Sequence, residues 1–100
     1  MEKNRFVAVV GCRKYFGTEV FRPGQRVKLV KEPENPYDAE AVKVELEPIG
    51  QVGYVANSVH TVPKGCCSAG RVYEQLSEEG AGTIRFIVGD TAIVELENKG

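Results

Sequence analysis

From Gln25 to Lys31 the residues Gln-Arg-Val-Lys-Leu-Val-Lys alternate polar and apolar, directly after the turn signal Pro23-Gly24. Successive side chains of a strand point to opposite faces, so this period of two predicts a half-buried β-strand. Ala41 to Leu46 repeats the alternation until Pro48 and Gly50 break it. Val52-Gly53-Tyr54-Val55 reads as a short strand whose glycine lets backbone or ligand approach closely. Thr83 to Val88 and Thr91 to Leu96 are β-branched runs, and Gly89-Asp90 between them suits a two-residue hairpin turn of the primed kind. Arg5 to Val10 differs from all of these, being apolar on both faces up to Gly11, as a strand covered on both sides must be.

One segment carries the helical period instead. Ala69, Val72, Tyr73 and Leu76 fall at i, i+3, i+4 and i+7, with Ser68 as N-cap and Gly80 as the C-terminal stop. Five or six short strands with one helix, in 100 residues, predict a mainly β fold. The expected architecture is a small, partly open β-barrel of the OB or SH3 kind, which curls to hide its sheet edges. It forms a single domain over residues 1–100, with a core of about 5–96.

Hydrophobic content of 42% and charged content of 27% are those of an ordinary globular chain. No apolar run approaches the roughly 20 residues that span a bilayer, so no membrane partner is expected. The apolar run after Met1-Glu2-Lys3-Asn4-Arg5 lacks the length and cleavage site of a secretory signal, which points to the cytoplasm. Net charge is −1, unevenly spread: residues 1–31 hold eight Lys or Arg against two acids, and residues 32–100 hold five against twelve. Such clustering predicts a basic face able to attract phosphates. The bland alternative is a solvated surface.

The cysteines, Cys12, Cys66 and Cys67, are odd in number, and the last two are neighbours that would form a strained disulfide, which fits a reducing compartment. A tetrahedral zinc site would need all three plus His60, the one histidine, from distant segments, so no metal and no cofactor are expected. Cys12 or Cys66 paired with His60 has no orienting third residue, and no paired carboxylates suggest hydrolysis. The chain therefore reads as a non-enzyme. The basic, glycine-rich stretch Lys64 to Arg71 before the helix offers either an anion site at backbone N–H groups or a plain capping loop.

The most informative stretch is Lys31 to Val44, followed by Gly50-Gln-Val-Gly-Tyr-Val55. Pro36 fixes a tight turn that holds the ring of Tyr37 and the carboxylate of Asp38 at one place on the barrel. A purely structural account is open too, in which Asp38 bonds to nearby backbone N–H groups and Tyr37 covers the barrel end.

The order Val10-Gly11 with Arg13, then Gly24 before a Val-x-Leu strand, then Glu32-Pro33-x-Asn35-Pro36-Tyr37-Asp38-x-x-Ala41-Val42-x-Val44, then Gly53-Tyr54-Val55, resembles the HIRAN domain over residues 5–90. The resemblance is to the free-standing bacterial type, whose better understood fused relatives accompany DNA-repair translocases and capture the 3′ end of single-stranded DNA. It implies that Tyr37 stacks on the terminal base and that Asp38 accepts a hydrogen bond from the 3′-hydroxyl. It also implies that Arg13, flanked by Lys14 and Tyr15, contacts phosphate or base. Lys14 stands where DNA-capturing members carry an aromatic residue, and Asn57 stands where they carry a phosphate-contacting lysine. The implied partners are a single-stranded DNA 3′ end, with RNA as the alternative, and a helicase or nuclease protein. A second reading is a protein-interaction or adaptor domain that grips a partner with the same barrel face.

Overall fold

The computed structural model describes residues 5–58, 61–76 and 79–97. His60, considered above as a metal ligand or base, lies outside the described residues. Six strands, β1 (Phe6–Val10), β2 (Arg26–Glu32), β3 (Ala41–Leu46), β4 (Gly50–Val55), β5 (Glu79–Val88) and β6 (Thr91–Leu96), pair antiparallel in the order β1-β4-β3-β2-β5-β6. The last strand returns to β1, so the barrel is closed where partial opening was expected. Irregularities at Val44/Glu45 and Ile84/Phe86 supply the curvature that closure needs.

The alternation read from the sequence sorts inside from outside. Val27 and Leu29 of β2, Val42 and Val44 of β3, Val52 of β4 and Val94 of β6 are fully buried in one core with Val7, Val9, Phe21 and Ile84. β1 is sealed on its other face as well: Ala8 is buried, its carbonyl accepts from the Ala56 N–H, and Phe6 accepts from the Cys67 N–H. That covering chain is why β1 is continuously apolar rather than alternating.

Two expectations need correction. Helix α1 runs only Ala69–Tyr73, and Gly80 lies in β5 instead of ending a helix. The helical face itself is real, since Ala69 and Val72 are buried and Tyr73 and Leu76 pack against the core. At Gly80 the neighbour is the end of a flexible side chain, as a Cβ there would stand 2.7 Å from Leu76 Cδ2. A Cβ on Gly82 would stand 2.5 Å from Val94 Cγ1 and 2.8 Å from the Glu95 carbonyl. Strand propensity penalises glycine, so the first half of β5 was hidden behind residues chosen for close approach. The hairpin turn follows the expectation, with positive φ confined to Gly89 (59°) and Val88 opposite Thr91.

Part of the charge asymmetry of the sequence is offset by ion pairs across the fold. Arg13 pairs with Asp90 (3.2 Å), Arg26 with Glu97 (2.6 Å) and Lys28 with Glu47 (3.7 Å), so cations of the first third meet acids from the rest of the chain. The anion site before α1 is likewise occupied by the protein. Ala69 N–H donates to the Ala56 carbonyl, Gly70 N–H to Asn57 Oδ1 and Arg71 N–H to Ser68 Oγ, leaving the capping-loop alternative.

Closure rests on a narrow seam. β1 and β4 share only the pairs Val9–Val55 and Val10–Tyr54. A Cβ on Gly53 would stand 2.8 Å from both the Val10 carbonyl oxygen and Val9 Cγ1. Of the two causes weighed for this glycine, backbone approach is the one realised. Near the seam, Glu32 at the end of β2 reaches over β3: its Oε1 accepts from Tyr54 Oη (2.8 Å) and Asn35 Nδ2 (3.0 Å). Partial burial by itself would raise the Glu32 pKa, but these two donors and nearby Lys43 outweigh it and hold the carboxyl below the ordinary glutamate range.

Gly53→Ala is expected to cost about 1–3 kcal/mol, because backbone has to move to admit the methyl group; the shift in a urea-unfolding midpoint measures it. The depressed Glu32 pKa means that the folded state favours the ionised form, so its contribution is present above the unfolded pKa and is lost as pH falls through the folded one. Glu32→Gln should therefore unfold more easily than the parent at neutral pH. The gap between the two proteins should close in paired unfolding curves as pH falls through the depressed folded pKa, below the ordinary glutamate range, since both then carry a neutral group there.

Candidate nucleic-acid interface

The loop from Glu32 to Ala41 is held by its own polar groups. Asn35 Oδ1 accepts from the N–H of Tyr37 (2.9 Å) and of Asp38 (3.1 Å), an Asx arrangement that Pro36 supports by fixing its own φ. Asn35 N–H donates to the Glu32 carbonyl, and Ala41 N–H to the Asp38 carbonyl. Asp38 Oδ1 accepts from Glu40 N–H (2.9 Å) and Oδ2 from Asn57 Nδ2 (2.9 Å). The backbone and the carboxylate are thus fixed before any ligand arrives.

Tyr37 is the exception to this order. It is 94% exposed, the most exposed large hydrophobic residue described, and covers nothing. The structural account in which it seals the barrel end is therefore excluded. Its position becomes understandable beside an open groove of about 940 Å³, lined by Tyr37 and Asp38 together with Val10, Lys14, Tyr15, Glu32, Tyr54 and Asn57. The 3₁₀ turn Cys12–Lys14 brings Lys14 and Tyr15 to the rim, starting from Gly11 at φ 72°, a left-handed position that suits glycine. Tyr15 Oη accepts from Gln51 Nε2 (3.0 Å), which braces that ring against β4.

Five of the six residues singled out from the sequence, Lys14, Tyr15, Tyr37, Asp38 and Asn57, line the groove, and Arg13 does not. Arg13 Nε instead faces Asp90 Oδ2 at the β5–β6 turn, with both side chains mostly exposed at 82% and 65%. Sequence reasoning missed Glu32 and Tyr54 as groove residues. Glu32 sits inside the motif, but its contact with Tyr54 joins positions far apart in the chain and has no local signal. Tyr54, expected only as part of a short strand, lines the groove, and its hydroxyl is committed to Glu32.

Electrostatically the groove is acidic, with Glu32, Glu34 and Asp38 against Lys14. Stacking on exposed rings and acceptance of hydrogen bonds are what this lining can do. Nucleophilic chemistry has no support from the thiols: burial pushes the pKa of Cys12 and Cys66 up, towards the unreactive protonated form. Among the described residues no group of three or more His, Cys, Asp or Glu side chains is placed to hold a metal ion, and no helix is long and apolar enough to cross a membrane.

The comparisons with known proteins agree with this geometry. The family model of the HIRAN domain matches residues 3–75. The crystal structure of the HIRAN domain of human HLTF is similar at a TM-score of 0.67 and 26% identity, over 93% of this chain and 72% of that one. No curated protein matches the chain. The fold, the loop motif and the extent of the match together place the chain in the HIRAN family, whose members are nucleic-acid-binding modules rather than enzymes.

Proposed function

We propose that this domain captures the 3′ end of single-stranded DNA, without catalysis, in DNA repair or processing. The observation that carries the reading is Tyr37, 94% exposed on a loop whose backbone and neighbouring carboxylate are already fixed. An exposed ring on a rigid support loses little freedom on stacking, and base stacking contributes about 1–3 kcal/mol per base without regard to sequence. Asp38 retains acceptor capacity after its two protein contacts, because a carboxylate offers about four lone-pair sites. A terminal hydroxyl can donate to it, whereas a terminal phosphate would be repelled. The acidic lining further argues for contact with the last nucleotides only, and the phosphates behind them fall to Lys14 and to Arg13 once released from Asp90. In this reading the domain works beside a helicase or nuclease that handles the rest of the strand.

The same acidic lining favours a second reading, in which the three tyrosines and three acids of the groove receive a cationic side chain of a protein partner. The two are separable. Fluorescence anisotropy with a short 5′-labelled strand should show tighter binding with a 3′-hydroxyl than with a 3′-phosphate at about 50 mM salt, a concentration at which phosphate contacts remain strong. Tyr37→Ala should weaken binding by about tenfold. Asp38→Ala should remove the preference for the hydroxyl. A folded protein with no strand affinity would exclude the nucleic-acid reading in favour of the protein partner.

Asp90→Asn, which frees Arg13, should tighten strand binding by up to about fivefold at low salt, the range of an exposed ion pair, with the gain fading as salt rises. Unchanged affinity would mean that Arg13 does not reach the strand.

A further inference from the structure

Asn57 ties the groove to helix α1. Its Nδ2 donates to Asp38 Oδ2 at 2.9 Å, and its Oδ1 accepts from the Gly70 N–H at 2.8 Å. The orientation of the amide is fixed by chemistry: a backbone N–H can only donate and an ionised carboxylate can only accept, so a flipped amide would set like against like at both ends. Gly70 is one of the first N–H groups of α1, which have no partner within the helix, and Asn57 supplies one. The fit is close on the helix side too, since a Cβ on Gly70 would stand 3.2 Å from Asn57 Oδ1 and 2.5 Å from Glu40 Oε1. A lysine at position 57 could attract Asp38 but could not accept from Gly70. This residue is therefore suited to something other than a phosphate contact.

We propose that Asn57 is a positioning residue, which sets the Asp38 carboxylate at the angle needed to receive a strand-terminal hydroxyl and anchors that angle to the start of α1. With Asn57 on Oδ2 and the Glu40 N–H on Oδ1, each oxygen has one protein donor, and the remaining lone pairs are left for a ligand. Without Asn57 the carboxylate turns about its χ angles and half its orientation is lost. The inference rests on the end-capture reading for its ligand, though the coupling between Asp38 and α1 exists without one.

The test has two arms. In the first, 5′-labelled single strands with a 3′-hydroxyl or 3′-phosphate are titrated into wild type, Asn57→Leu, Asn57→Ser, Asp38→Ala and the Asp38→Ala/Asn57→Leu double variant. Loss of one charge-assisted contact should weaken hydroxyl-end binding about fivefold to tenfold in either Asn57 variant and change phosphate-end binding by less than about twofold. In the Asp38→Ala background, Asn57→Leu should add nothing. Equal weakening of both ends, or full additivity with Asp38→Ala, would overturn the proposal and leave Asn57 a structural residue. Asn57→Ser decides if Asn57→Leu does not fold.

The second arm needs no strand. The Gly70 amide resonance should move on Asp38→Ala in the wild-type background and stay still in the Asn57→Leu background. A Gly70 amide indifferent to Asp38 overturns the coupling outright. A responsive Gly70 amide in a protein with no strand affinity would uphold the coupling and count against end capture, so the two ideas fail separately.

Discussion

The contact between Gly53 and the Val10 carbonyl is the constraint on which the molecule turns. β1 joins β4 over two residue pairs, and at that seam a single added methyl group would collide with backbone. Closure pairs every described strand with two neighbours, although the short β1–β4 register leaves residues 50–53 of β4 without β1 partners. The groove lies at the end of the seam. Val10, Gly11, Tyr54 and Val55, where the pairing of β1 with β4 runs out, form one wall of the groove, and the loop from Pro33 to Asp38 forms the other. The site therefore exists because closure is achieved by the shortest pairing in the sheet.

Charge follows a similar economy. A sequence that concentrates cations near its start and acids later folds so that Arg13, Arg26 and Lys28 each meet an acid from further along. These pairs are exposed and contribute little stability. Each pair locally offsets one cation with one acid, which weakens the pull of those three positions on a polyanion. A domain whose cations are partly paired in this way is less suited to coating a strand. It can still recognise a feature that occurs once per strand, and an acceptor-rich groove beside an unburied ring is a fitting device for that.

Much of the fold was legible because it is written locally. Alternation from Gln25 to Lys31 and Ala41 to Leu46, the Gly89-Asp90 turn and the Ser68 cap each depend on residues within a few positions, and each appears where expected. Gly80 misled for the opposite reason: it lies in β5, whose close approaches at Gly80 and Gly82 only the folded barrel shows. The candidate site divides in the same way. Asn35, Pro36, Tyr37 and Asp38 form a local turn and could be read directly, whereas the pairing of Arg13 with Asp90, Glu32 with Tyr54, and Asn57 with Gly70 spans chain separations that leave no period behind.

The polar network around Asp38 explains how so small a domain can present a usable site. An ordered loop costs conformational entropy, of the order of 1–2 kcal/mol for each residue fixed, and binding that had to supply it would be weak. Here the cost is met in folding, because Asn35, Glu40, Asn57 and Gly70 close a circuit of hydrogen bonds from the β2–β3 loop to α1. That circuit contains no apolar contact and can be rearranged only as a whole, since each donor released would need another acceptor. An acceptor held in this way presents its remaining lone pairs in a fixed direction, to hydrogen-bond donors rather than to anions. The ring of Tyr37, kept outside the circuit, stays exposed on this fixed support.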